Sequence, residues 1–132
     1  MKLERVHVVL LLALFAVAGL GLATDTDMDG TPDVLDPCML DPTSPFPNFC
    51  DSDMDGYGNA CDADMKQDGT VGVPDFAVFS SAFGETGLPG FSEADMNCDG
   101  TVGIPDFPIY AEQFGGPPGP SGLACAGTIP CP

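Results

Sequence analysis

The stretch "DMNCDGTVGIPDFPIYAEQFG", residues 95–115, decides the fold, because it repeats the earlier stretch "DMKQDGTVGVPDFAVFSSAFG", residues 64–84. The offset is 31 residues (95 minus 64), and the segment DGTVG-x-PDF is shared. Each copy consists of an acidic loop, a proline and an apolar run. The repetition predicts two copies of one loop–helix unit.

The apolar runs predict two short helices, over about 74–83 and 105–114. In each copy, aromatic residues recur with the i, i+3, i+7 spacing that places side chains on one face of a helix. They are Phe76, Phe79 and Phe83 in the first copy and Phe107, Tyr110 and Phe114 in the second. Pro74 and Pro105 suit the first helical turn, and Gly84 and Gly115 suit the position after the last. We expect the two aromatic trios to face each other in a small core.

That arrangement leaves polar side chains on the outward faces of the two helices, free for a receptor. The expected outward residues are Ser80, Ser81, Glu112 and Gln113.

Four twelve-residue windows have the spacing of a calcium-binding loop. Calcium takes six to eight oxygen ligands, and such a loop supplies them from positions 1, 3, 5, 7, 9 and 12, with a glycine at position 6 for the sharp turn. We name these windows loop one (25–36), loop two (51–62), loop three (64–75) and loop four (95–106). Each has glycine at position 6 and aspartate at position 12.

The predicted ligands are carboxylate and amide side chains, together with the backbone carbonyl at position 7. In loop one they are Asp25, Asp27, Asp29, Thr31 (carbonyl), Asp33 and Asp36. In loop two they are Asp51, Asp53, Asp55, Tyr57 (carbonyl), Asn59 and Asp62. In loop three they are Asp64, Asp68, Thr70 (carbonyl) and Asp75, with Lys66 at position 3. In loop four they are Asp95, Asn97, Asp99, Thr101 (carbonyl) and Asp106.

The charge balance supports cation binding. After residue 23 the chain has nineteen acidic residues against Lys66 alone, a net charge of −18 (1 minus 19), and fifteen of the nineteen lie in the four loops. Four calcium ions would reduce that charge to −10. The surplus of negative charge excludes electrostatic binding to nucleic acid or to an anionic membrane face. A solvated, disordered acidic tail is the alternative, but it does not account for the repeated glycine and aspartate positions.

Residues 1–23 have the composition of a secretory signal peptide. Lys2 and Arg5 precede the apolar run "VVLLLALFAVAGLGLA", and Gly21 and Ala23 are the small residues of a cleavage site. The alternative is a retained membrane anchor, for which the run is short. We expect cleavage, leaving no membrane association, and a secreted or cell-surface protein.

Six cysteines follow the signal, and an exported chain with an even number is expected to form disulfides. Their spacing leaves fifteen pairings open. Zinc is disfavoured as the ligand of these cysteines, because the sequence has no CxxC pair and no histidine after residue 23.

The predicted fold is therefore a small, mostly irregular calcium-loop protein with two short α-helices and no β-sheet core. Seventeen glycines, fourteen prolines and no tryptophan limit the apolar surface that it can bury, so metals or disulfides must stabilise it. We divide the chain into a signal (1–23), a first acidic region (24–62), the paired repeats (63–116) and a Pro/Gly-rich, cysteine-containing tail (117–132).

Loops three and four, each followed by one helix, resemble the paired F-hand repeats of a dockerin type I domain, an EF-hand-like arrangement. Loops one and two, in "DTDMDGTPDVLDPC" and "CDSDMDGYGNACD", resemble thrombospondin type-3 repeats. The resemblance implies calcium-dependent folding, a secreted or surface location, docking onto a cohesin-like receptor and a link to extracellular polysaccharide degradation. It also implies a disulfide between Cys38 and Cys61.

Three functions follow as hypotheses. The first is a secreted calcium-dependent docking module. The second is a structural protein of the cell surface or matrix that associates with itself through calcium and an exposed tail. The third, an enzyme, is not expected, because the chain after residue 23 has no histidine, no tryptophan platform for sugars and little room for a pocket.

Overall fold

A computed structural model describes residues 23–43 and 50–131 of the chain. All but the last residue of the predicted signal peptide lies outside these ranges. The described residues form two α-helices, α1 (Val73–Ala82) and α2 (Asp106–Gln113), and two short 3-10 turns, Asp33–Leu35 and Asn59–Cys61.

A single isolated bridge between Thr86 and Thr101 is the only β-pairing within the described ranges. The predictions of a small protein with two short helices and no β-sheet are confirmed.

Each helix has a loop aspartate in its first turn and a glycine shortly after its last residue. Both helix starts are capped by the position 12 carboxylate, since Asp75 accepts the N–H of Gly72 and Asp106 that of Gly103, each at 2.7 Å. A carboxylate in the first turn also interacts favourably with the helix dipole. The two helices end before Gly84 and Gly115, whose φ angles of 92° and 89° suit glycine. Both predicted helix ranges are confirmed to within a residue or so.

The two repeats exchange backbone hydrogen bonds reciprocally. Val71, in loop three, exchanges a pair of bonds with residues 115–116 after α2, each at 2.8 Å. Val102, at the equivalent position of loop four, exchanges a pair with residues 84–85 after α1, at 2.8 and 3.0 Å. Both valines are fully buried. This reciprocity is the approximate two-fold arrangement expected of near-identical repeats.

The core between the repeats is smaller than the aromatic spacing predicts. Of the six aromatic residues, only Phe79 and Tyr110 are buried, with their rings stacked 5.6 Å apart. The other core side chains are small or flexible: Ala63, Met65, Val71, Ala82, Ala94, Met96 and Val102. The expectation that both aromatic trios are buried between the helices is wrong. The remaining four rings are 41–54% exposed: Phe76, Phe83, Phe107 and Phe114.

The physical reason is helix length. With ten and eight residues, α1 and α2 span two to three turns and bury one ring each at their crossing. The flanking rings contact their neighbours from one side only, as Phe76 does with Phe107 at 6.3 Å. The outward faces also differ from expectation at Gln113, which is not free, because its amide bonds Ala60 and Ala63.

The described tail crosses loops one and two. Gly122 donates to the Asp36 carbonyl at 2.9 Å, and Gly127 donates to the Asp55 carbonyl at 2.8 Å. Four more bonds continue this contact: Pro120 with Met39, Gly119 with Cys61, Ser121 with Gly56, and Cys131 with Met54. The tail is therefore attached to loops one and two, although Ala124 and residues 127–130 remain exposed.

Three disulfides join the six cysteines: Cys38–Cys61, Cys50–Cys98 and Cys125–Cys131. The first is the pairing that the thrombospondin resemblance implies. The second connects the residue before loop two to position 4 of loop four.

Candidate metal centres

All four loops share one backbone conformation. The glycines at position 6 have φ angles between 88° and 97°. The residues at position 4 are also left-handed, although none is a glycine: Met28, Met54, Gln67 and Cys98, with φ between 53° and 64°. Such residues cost about 1–2 kcal/mol each and persist where the surroundings fix them. Their side chains carry no signal for this conformation, so sequence reasoning missed it.

Loop one presents four buried carboxylate oxygens that have no hydrogen-bond partner. They are Asp25 Oδ1, Asp27 Oδ2, Asp29 Oδ2 and Asp36 Oδ2. The first three residues each place an oxygen within 4.8 Å of the others. Buried polar atoms in folded proteins are nearly always paired, so the four unpaired oxygens make loop one a candidate site for a cation.

The second oxygen of each carboxylate holds it in place. Asp27 Oδ1 accepts the N–H of Asp29 at 3.2 Å, and Asp25 Oδ2 accepts that of Gly30 at 3.1 Å. Asp36, only 1% exposed, accepts the N–H of Cys38 at 2.8 Å. One oxygen of each side chain thus orients the carboxylate and leaves the other for a cation.

The electrostatics of loop one point the same way. Burial, followed by the charges on Asp29 and Asp25, raises the pKa of Asp27. Burial, followed by the charges on Asp27, Asp29 and Asp33, raises the pKa of Asp36. A cation among these groups would reverse both effects.

In loops one and two the side chain at position 9 is hydrogen-bonded to the residue at position 2. Asp33 accepts the N–H and the hydroxyl of Thr26 at 2.7 and 2.9 Å. Burial alone would raise its pKa, but these bonds outweigh burial and lower it. Asn59 in loop two accepts the N–H of Ser52 at 2.9 Å in the same way. Both residues therefore brace the start of their loop.

Loop two contains the second group of three carboxylates. Asp51, Asp53 and Asp55 each place an oxygen within 4.8 Å of the others. Burial raises the pKa of Asp51 and of Asp55. At position 12, Asp62 accepts the N–H of Asp64 at 3.0 Å, as Asp36 accepts that of Cys38 in loop one.

Asp62 and Glu93 are the most strongly perturbed carboxyls near loop two. Burial, followed by the charges on Asp55 and Asp53, raises the pKa of Asp62 to about 8. Burial, followed by the charges on Asp53 and Asp55, raises the pKa of Glu93 to about 7. Glu93 comes from the segment between the repeats. Sequence reasoning missed it because it belongs to no loop.

Loops three and four use their carboxylates differently. At position 12, both oxygens of Asp75 accept backbone N–H groups, from Lys66 at 2.9 Å and from Gly72 at 2.7 Å. Asp106 does the same with Asn97 at 3.1 Å and Gly103. Each oxygen retains one lone pair for a cation.

Position 1 of these two loops is equally engaged, because both oxygens of Asp64 and of Asp95 accept N–H groups from positions 5 and 6. Neither loop has a group of three carboxylates within the described ranges, since position 3 is Lys66 or Asn97.

The position 7 residues lie beside the position 5 carboxylates in all four loops. Their N–H groups donate to position 5: Thr31 to Asp29, Tyr57 to Asp55, Thr70 to Asp68 and Thr101 to Asp99. This contact holds the backbone whose carbonyl is the predicted ligand close to the donor cluster.

Loops two and four are joined to each other. The amide of Asn59 donates to the carbonyls of Ser92 and Asp95 at 2.8 and 3.1 Å. The hydroxyl of Ser52 donates to the carbonyl of Gly90 at 2.8 Å, and the Cys50–Cys98 disulfide adds a covalent connection. A change in the conformation of one loop therefore acts on the other loop through these bonds.

No protein-family model, curated protein or solved structure matches this chain. Neither α1 nor α2, nor any other helix in the described ranges, has the length and apolar character that crossing a bilayer requires.

Proposed function

We propose that this chain is a secreted, calcium-binding docking module in which the four loops hold cations and thereby fix the paired helices. The observation that carries the proposal is the set of four buried, unpaired carboxylate oxygens in loop one. The other oxygen of each of these carboxylates is already hydrogen-bonded, and Asp25, Asp27 and Asp29 each place an oxygen within 4.8 Å of the others.

The chemistry of the donors favours calcium. The candidate ligands are oxygens throughout, and all six cysteines are in disulfides. Oxygen-only sites select hard cations, calcium or magnesium. A loop that offers four carboxylates and a carbonyl suits the high, flexible coordination number of calcium, whereas magnesium keeps several waters and binds through one or two carboxylates.

Binding and folding are expected to be coupled. Without cations the loops hold fifteen carboxylates at close range, and the core contains only nine buried apolar residues. Such a core supplies little stability against that repulsion. Three disulfides in the described ranges accord with an oxidising, extracellular location.

The docking role and the link to polysaccharide degradation rest on the dockerin resemblance. Self-association is the second candidate. The tail is hydrogen-bonded to loops one and two, but Ala124 and residues 127–130 of the segment on which that candidate relies remain exposed.

Calorimetry and circular dichroism on the chain without residues 1–23 test the proposal. We expect up to four calcium ions to bind, helical signal to rise with calcium and magnesium to substitute poorly. A spectrum that is the same in chelator and in calcium, together with no heat of binding, would refute calcium binding. A pull-down from secreted and surface fractions, with and without chelator, tests the docking role, and light scattering against calcium tests self-association.

A further inference from the structure

The four half-exposed rings form one continuous apolar face across both helices. We call it the aromatic surface and define it by Phe76, Phe83, Phe107 and Phe114. It contains two adjacent grooves, of about 450 and 290 Å³, which share Phe76 and Phe107 in their linings. The buried rings of Tyr110 and Phe79 lie beneath the larger and the smaller groove respectively.

The aromatic surface is larger than the area of a single exposed apolar side chain. A phenylalanine side chain offers roughly 200 Å², so four rings near half exposure present about 400 Å². An apolar patch of about 300–600 Å² is the largest on a typical monomer and is often functional. One side of a stable protein–protein interface is about 800 Å², so these rings supply roughly half of one side. That area suits the apolar ridge of a single helix lying in the grooves.

The net charge of the chain selects the partner of the aromatic surface. Lys66 is the only basic residue after position 23, and with four calcium ions bound the chain still has a charge of −10. Among the described residues no charged side chain lines either groove, so the attraction of a partner depends on the net charge of the chain. A second copy of the chain brings the same negative charge and is repelled. A partner with lysine or arginine beside its apolar ridge is attracted.

We propose that the aromatic surface is the docking site for a basic amphipathic helix of another protein. Its apolar side chains fill the two grooves, and its basic side chains are attracted by the negative net charge of the chain. This inference rests on the proposed docking function and moves the receptor face from the outward serines to the aromatic surface.

The probe is a synthetic amphipathic peptide of leucine and lysine, about 18 residues or five helical turns long. A peptide of the same composition in scrambled order is its control for charge alone. Calorimetry in saturating calcium is expected to show binding of the amphipathic peptide and at least tenfold weaker binding of the scrambled one. Affinity is expected to fall between about 50 and 300 mM salt as the charges are screened.

Two protein variants locate the binding face. Phe76→Ala combined with Phe107→Ala is expected to weaken peptide binding by about tenfold or more. Phe114→Ala changes the most exposed of the four rings. It is expected to weaken peptide binding as well, with less risk to the fold. Ser81→Asp on the outward face is the matched control and is expected to leave binding unchanged.

Three outcomes overturn the assignment. Equal binding of both peptides, unaffected by the phenylalanine variants, shows charge attraction only. Loss of binding in Ser81→Asp alone returns the receptor face to the serines. A dimer that strengthens with salt and disappears in Phe114→Ala, seen by sedimentation, assigns the surface to a second copy. A calcium titration on the same samples separates these outcomes from failure of the proposed function, because calcium-induced folding without peptide binding refutes the partner alone.

Discussion

Asp27→Asn is expected to affect the calcium-free and calcium-bound proteins in opposite directions. The carboxylate of Asp27 has one buried oxygen without a partner, and its other oxygen accepts the N–H of Asp29. Asparagine keeps that acceptor and replaces the unpaired oxygen with an amide. Loop four already has this arrangement, since Asn97 at the same position donates its amide to Asp99 at 3.0 Å.

The magnitude follows from the distances in loop one. An oxygen of Asp27 lies within 4.8 Å of one from Asp25 and one from Asp29. Two unit charges about 5 Å apart repel by roughly 0.9 kcal/mol in bulk water and by roughly 3.5 kcal/mol at an effective dielectric constant of 20. Removing two such pairs stabilises the calcium-free fold by about 2 kcal/mol at the lower limit, or about 30-fold in the ratio of folded to unfolded protein. The calcium-bound form loses a charged ligand, and we expect at least about tenfold weaker binding at this loop.

Asp33→Asn is the matched control. It removes the same charge, but Asp33 bonds to Thr26, and Asn59 serves the equivalent purpose in loop two. We expect little change in calcium affinity. Circular dichroism in chelator measures the stabilisation of the calcium-free fold by Asp27→Asn. Calorimetry measures the loss of calcium affinity. The reasoning is refuted if Asp33→Asn weakens calcium binding more than Asp27→Asn, or if Asp27→Asn loses helical signal in chelator.

Three further predictions concern pH, the core and the inequality of the loops. Because burial raises the pKa of Asp62 to about 8 from an unfolded value near 4, its contribution is complete below about pH 4 and is lost as pH rises through 8. The chelated protein should therefore melt at a higher temperature at pH 5 than at pH 8.5, and the reverse order would contradict this. Phe79→Ala, at a ring that is 2% exposed, should cost about 3–5 kcal/mol in saturating calcium, and Phe76→Ala roughly half as much. Equal melting temperatures for these two variants would count against the core assignment. Asp99→Ala should remove a tighter calcium site in calorimetry than Asp68→Ala, because loop three has a lysine at position 3, and a tighter loop three would show that ligand counting fails.

The sequence predicts the elements that local chemistry determines. Aspartate at position 12, proline in the first turn and Gly84 or Gly115 after the last turn each act within a few residues, and the two helices have the predicted bounds to within one residue. The position 6 glycines are left-handed for the same reason. The left-handed conformation of Met28 and Met54 could not be foreseen, because it is imposed by the hydrogen bonds of the whole loop.

Features that depend on distant contacts could not be predicted. The tail binds loops one and two mainly through backbone N–H and carbonyl groups, which nearly every residue has, so its sequence carries no pattern for docking. Glu93 approaches loop two because Ser92 and Gly90 hydrogen-bond there, 31 or more residues away in the sequence. Phe76 is half-exposed because both helices are short. The aromatic periodicity predicts which helix face is apolar but not how deeply its side chains are buried.

The contact between the tail and the first two loops also constrains the order of events in biosynthesis. Asp36 and Gly122 are 86 residues apart (122 minus 36), so this contact closes one of the longest loops in the chain. Closing it costs more entropy than the contacts inside 64–116, and such distant pairings form late. In a chain that is made from its N-terminal end, the two helices can pair before residues 119–131 reach the first two loops. Loops one and two must wait for those residues. Loops one and two are therefore made first but reach their final contacts last. A chain cut after Gly116 should retain its paired helices, whereas its first two loops should lack the contacts with the tail.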